Sequence, residues 1–174
     1  TLDFHALNAI KAADQFIFDQ SEEGENAELM QRIKKALKNP VQQIKQSYLL
    51  EDLRLILYFQ SLRENHPEDA VNALHRLGLD KEQRERVLWV QDNQEKFIEL
   101  MRRRVYSKPE EFYHYMYVDE AGPQGDYDKW ALLVVSSIVQ LYLLRPDRLW
   151  LYLREMKPAF EMNESILSDR DQFR

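Results

Sequence analysis

The stretch Trp130–Leu144, WALLVVSSIVQLYLL, limits this chain more than any other part of it. It is apolar around nearly the whole circumference of a helix, and such a helix must be covered on every side. A membrane-spanning helix wants about 20 apolar residues in succession. This run is shorter and is interrupted by Ser136, Ser137 and Gln140, so it reads as the centre of a helical core, with no membrane segment. The two serine hydroxyls are expected to bond back to helix carbonyls rather than to form a nucleophile, because no glycine elbow surrounds them.

The remaining sequence supplies partners with the same period. Asp3 is placed to cap a first helix with Phe4, Leu7, Ile10 and Ile17 on one side. An acidic turn follows over Asp19–Gly24. Asn26 opens a second helix with Leu29, Met30, Ile33, Ala36 and Leu37 inward, ended by Pro40, which can also begin the next helix after Asn39. A long third stretch runs from Val41 to about Glu64, with a bend near Ser47. Pro67-Glu68-Asp69 starts a helix whose apolar face is Ala70, Val71, Leu74 and Leu77, stopped by Gly78. Asp80-Lys81-Glu82-Gln83 is a capping-box variant opening a helix to about Tyr106, and Val87, Val90, Gln94, Phe97, Met101 and Val105 form one seam with a polar interruption. Ser107-Lys108-Pro109-Glu110 opens a short helix through Phe112 and Met116. Asp119–Asp128 is a loop, and Arg145-Pro146-Asp147 leads into a last helix ending at Lys157-Pro158.

No segment alternates apolar and polar residues like a half-buried strand, and 4 glycines and 6 prolines are too few for a turn-rich sandwich or barrel. The expectation is an all-α fold. It is either a single-domain helical bundle or an irregular helical-hairpin array, of about seven to nine helices over residues 1–162, with a polar, frayed tail over 163–174. The array option comes from three prolines that open acidic helix starts, Pro67, Pro109 and Pro146, at intervals near 40 residues.

Composition narrows function mainly by exclusion. The chain has no cysteine, so it holds no disulfide, thiolate metal site or cysteine nucleophile. A net charge of -6 disfavours broad electrostatic attachment to nucleic acid. No basic-then-apolar leader opens the sequence, and residue 1 is Thr rather than Met, which leaves room for a longer protein. No glycine-rich phosphate loop, dinucleotide fingerprint or kinase signature is present. His75, beside Arg76 and near Gly78, has something of the setting of a phosphotransfer histidine, but Gly78 serves more simply as a helix stop.

Three sets of residues remain. Glu111 and His114, in E-x-x-H spacing, together with carboxylates of the Asp119–Asp128 loop, form a candidate metal-dependent active site. Nothing in the sequence holds that loop against the helix, so no bound metal or other cofactor is expected. Arg102–Arg104 form a candidate nucleic-acid contact, although three consecutive helical positions cannot share one groove. The third set is the aromatic surplus: Phe112, Tyr113, Tyr115, Tyr117, Trp150 and Tyr152 lie on helices bulky on most sides, more than one core of this size covers. The leading reading is a cytoplasmic, non-catalytic adaptor, regulatory or accessory protein. It would use this aromatic-rich C-terminal surface to bind a protein partner, with homodimerisation the first case.

Overall fold

The computed structural model describes residues 2–18, 26–105 and 108–154. The expected acidic turn over 19–24 and the boundary between a 1–162 domain and a 163–174 tail lie outside them. Among the described residues 84% are helical and no strand occurs. In chain order the helices are α1 (Leu2–Ile17), α2 (Ala27–Ala36), α3 (Lys38–Gln46), α4 (Leu50–Asn65), α5 (Pro67–Arg76), α6 (Lys81–Arg102), α7 (Pro109–Tyr113) and α8 (Tyr127–Leu144). A π-helical turn, His114–Val118, extends α7. A further helix, α9, is described over 146–154.

The apolar run is the middle of the bundle. Twelve of the 18 residues of α8 are buried, including both serines, and α1, α3, α4 and α6 pack around it. By length and composition α8 could cross a membrane, and here it is enclosed by protein instead. Ser136 Oγ donates to the Leu133 carbonyl at 3.3 Å and accepts from Gln94 Nε2 at 3.0 Å, so the polar interruption in the α6 seam meets the polar interruption in α8. Because α8 touches helices from both halves of the chain, this is a bundle. A hairpin array would restrict each unit to its neighbours in sequence. Pro67, Pro109 and Pro146 still open helices, which is their ordinary first-turn role.

Several local expectations are corrected by packing. Helix α1 already includes Asp3, which therefore sits in its first turn rather than at its cap. Its buried face is Ala6, Ala9, Ala12, Ala13, Phe16 and Ile17, while Phe4 and Leu7 are exposed. Alanine lets the α1 backbone approach α4 and α8 closely, and that gain outweighs burying two larger side chains on a neighbouring face. Leu77 is likewise exposed, one residue beyond the end of α5. Pro40 lies inside the first turn of α3, where its missing N–H is no loss, and the chain breaks earlier, at Leu37. Helix α6 ends at Arg102 rather than near Tyr106, and α7 is capped at Lys108 because Pro109 takes the first helical position. Asp80 caps α6, with the Gln83 N–H donating to Asp80 Oδ1 at 2.8 Å, while the Gln83 side chain that would close a box is directed to Asp52.

The bend near Ser47 is a full corner. The Leu49 N–H reaches the Ile44 carbonyl at 2.9 Å and the Tyr48 N–H reaches that of Lys45 at 3.4 Å. This is the Schellman pattern, closed by the buried pair Ile44 and Leu49. Its left-handed position is usually glycine, yet here it is Tyr48, at φ 56° and 92% exposed.

Between α4 and α6 lies a buried ion pair that the sequence pattern does not reveal. Asp52, only 2% exposed, receives Arg86 Nε at 2.7 Å on one oxygen and Gln83 Nε2 at 2.6 Å on the other. Farther along the same interface Gln91 Nε2 donates to the Ile56 carbonyl at 3.1 Å, and Gln60 Nε2 to the Gln91 carbonyl at 3.4 Å. These directional contacts set the register of two helices whose apolar surfaces alone would tolerate sliding.

Two stability outcomes follow. Arg86→Met strands a buried carboxylate and is expected to cost about 3 kcal/mol in urea unfolding, whereas the double variant Asp52→Leu/Arg86→Met recovers most of the loss. Tyr48→Gly relieves an L-residue held at positive φ without removing packing. It is expected to raise stability by about 0.5–1 kcal/mol in the same assay, against the usual direction of substitutions.

Candidate functional site

The residues singled out from the sequence meet around α7 and its π turn. Trp130, near the start of α8, is ringed by Phe97 at 5.8 Å, Phe112 at 5.6 Å and Tyr115 at 6.3 Å between centroids. Phe112 and Tyr115 are therefore core residues, and Tyr152 is buried as well. These three have little surface to offer a partner, because the large apolar helix α8 draws them inward. Trp150 is half-buried, with the Arg32 guanidinium over its ring at 4.5 Å, a cation–π contact tying α9 to α2.

Tyr113 is exposed, and Tyr117 is half-buried with one side against the core. Their rings sit 4.9 Å apart, one turn from each other, and the Tyr117 hydroxyl hydrogen-bonds the Tyr127 hydroxyl at the start of α8. Val118, just beyond, is 54% exposed. The π turn creates this division of faces. Its widened ring, closed by the Asp119 N–H on the His114 carbonyl at 2.8 Å, leaves Tyr115 and Met116 inside, Tyr113 outside and Tyr117 at the boundary.

The loop after the π turn is built rather than loose. The Gly125 N–H donates to the Met116 carbonyl at 2.7 Å, and the Gly122 N–H to that of Asp119 at 2.9 Å. A Cβ on Gly122 would lie 2.1 Å from the Tyr115 carbonyl oxygen, so only glycine fits there. Gly125 has φ +76° and rests against the Tyr117 ring, where a Cβ would come within 3.5 Å. Asp126 caps α8 through the Lys129 N–H, and Tyr127 and Asp128 already belong to that helix. Asp119 holds the near end of the loop. Its carboxylate accepts from the Ala121 N–H at 2.9 Å and from Lys96 Nζ at 3.3 Å. The backbone donor first, and Lys96 after it, keep its carboxyl below the usual aspartate range, against the opposing pull of partial burial.

On the other side of the π turn is an open cleft of about 340 Å³, lined by Lys96, Leu100, Arg103, Val105, Glu110, Glu111, His114, Tyr115 and Asp119. It brings Glu111, His114 and Asp119 to one place, as the E-x-x-H reading anticipated. The arrangement is not that of a metal centre, since no three His, Cys, Asp or Glu side chains among the described residues are grouped to hold one ion. Glu111 instead lies 3.6 Å from Lys108, and Asp119 is taken by Lys96. Asp128 lies apart from the cleft and accepts from Gln43 Nε2 at 2.9 Å.

The arginine run disperses. Arg102 pairs with Glu99 at 2.6 Å, and the hydrogen bond lowers the Glu99 carboxyl and raises the guanidinium. Arg103 lines the cleft, and Arg104 adopts φ 61°.

Gly122→Ala is expected to disrupt the loop, with raised amide exchange at residues 121–126 and a loss of about 2 kcal/mol or more in unfolding, since the obstacle is backbone and cannot swing away. Asp119 carries the opposite sign of pH effect from a paired histidine. Its folded pKa is depressed, so its hold on the loop is complete above the ordinary aspartate value of 3.8 and is lost as pH falls below it. Loop amide shifts followed from pH 6 to pH 2 should move late in that range in the wild type, and the titration should be absent in Asp119→Asn. Set beside known protein families, curated proteins and solved structures, the chain matches none.

Proposed function

We propose that this protein is a non-catalytic protein-interaction module that docks a partner on the surface formed by Tyr113, Tyr117, Tyr127 and Val118. The observation carrying this reading is the Tyr113–Tyr117 ring contact, with Tyr113 exposed and Tyr117 half-buried behind it, backed by a loop whose two glycines leave it little freedom. Tyrosine offers large contact area with few rotatable bonds and a polar tip, and it is enriched in interface centres. A surface already held in its binding shape loses less entropy on association. The aromatic reading from sequence is thereby narrowed to the residues that face out, while Trp150 already has Arg32 as a partner within the chain.

A second copy of the chain is the first partner to test. Sedimentation velocity across a wide concentration range is expected to show a dimer that Tyr113→Glu shifts to monomer, because the introduced charge would be desolvated without a partner. Tyr58→Glu, at an exposed aromatic position on α4, should leave the dimer intact. A wild type that stays monomeric throughout removes the homodimer. Photo-crosslinking from position 113 in cells then decides between a different protein partner and none, with position 58 as the control. No adduct specific to 113 would overturn the reading.

A further inference from the structure

The cleft beside the π turn is lined by charges of both signs together with Leu100, Val105 and Tyr115. Lys96, Leu100 and Arg103 occupy one face of α6 and its cap, at spacings of four and three residues. Glu110, Glu111 and His114 come from α7 and its π extension, and Val105 and Tyr115 complete the lining. Lys96 is neutralised by Asp119 and Glu111 by Lys108. Two charges are left over. Among the described residues Arg103 and Glu110 form no ion pair within 4.0 Å, with each other or with any other side chain, although they line the same cavity. An unpaired cation and an unpaired anion sharing a small cleft form a template for a ligand carrying both signs.

We propose that this cleft binds a small zwitterion with an apolar side chain, of the α-amino acid class. Its carboxylate would meet Arg103, its ammonium group Glu110, and its side chain the half-exposed Leu100, beside the edges that the buried Val105 and Tyr115 leave at the cleft wall. The volume, about 340 Å³, lies at the small end of ligand sites, which suits a molecule of this size rather than a nucleotide or an extended cofactor. Arg103 presents a planar fork matched to a carboxylate, which a lysine would not. The site is open and its charged groups face water, so the expected affinity is weak, in the millimolar range. This site is distinct from the outward tyrosine pair, so failure of either proposal leaves the other standing.

The test is a titration of the isotope-labelled full chain, followed by amide chemical shifts, with three probes of matched side chain. Leucine carries both charges, 4-methylpentanoate only the carboxylate and isopentylamine only the ammonium group. Saturable shifts at residues 100, 103, 105, 110 and 115 are expected with leucine, and at least fivefold weaker binding with each single-charge probe. Arg103→Gln and Glu110→Gln, both at exposed positions, should each weaken leucine fivefold or more while leaving the thermal midpoint and the rest of the spectrum unchanged. Arg103→Lys should rescue only part of the loss. Three results would each overturn the proposal: no saturable shift with leucine up to 50 mM, equal binding of the single-charge probes, or variants that bind leucine as the wild type does.

Discussion

Burial of α8 is the constraint on which the rest of the structure depends. A helix with no polar face offers water nothing, and at about 25 cal/mol for each Å² of apolar surface covered, enclosing it dominates the favourable side of folding. Four helices meet that demand. The small residues of α1 let its backbone approach closely, and α3, α4 and α6 bring branched and aromatic side chains. The same demand determines what is left for the surface. Phe112 and Tyr115 are drawn inward to surround Trp130, so the aromatic surplus seen in the sequence resolves into a large core and a smaller outward remainder.

A core this apolar tends to be permissive about register, since one leucine packs against a groove much as another does. The polar contacts between α4, α6 and α8 remove that freedom. The Asp52–Arg86 pair, the Gln60 and Gln91 amide N–H groups on facing backbone carbonyls and the Gln94–Ser136 bond each depend on one relative placement of the helices. Their net contribution to stability is small, because desolvating them cancels much of the gain. Their effect is to make one alignment of three helices better than its neighbours. The cleft and the tyrosine pair depend on that alignment, since α6 supplies one wall and α8 the anchor for Tyr117.

The helical class and the central place of α8 were legible because both rest on local periodicity. The proline-led starts of α5, α7 and α9 and the Asp80 cap were legible for the same reason: their chemistry lies within four residues. The α1 face was misread, because Phe4 and Leu7 obey the period as well as the alanines do, and only the distance to α8 decides between them. The loop was misread in the opposite sense. Gly122 and Gly125 signalled a turn, but the Met116 carbonyl that receives the Gly125 N–H belongs to the preceding π turn, and i→i+5 bonding leaves no periodic mark. Asp52–Arg86 was invisible because 34 residues separate its partners. The cleft was half-legible: the E-x-x-H spacing paired Glu111 with His114, while Asp119 and the cations Lys96 and Arg103 that line the same cleft come from outside that motif.

The position of α8 along the chain bears on how the protein is made. Translation proceeds from the N-terminus at roughly 5–20 residues each second. By the time Tyr127 is added, α1, α3, α4 and α6 are all synthesised, and the central helix they enclose is not. For several seconds, then, their inward faces have only one another, and whatever in the cell shields exposed apolar surface, to cover them. The nascent chain is most prone to aggregation in that interval. A ribosome stalled between α7 and α8 would present the cell with most of a bundle and a hole where its centre belongs.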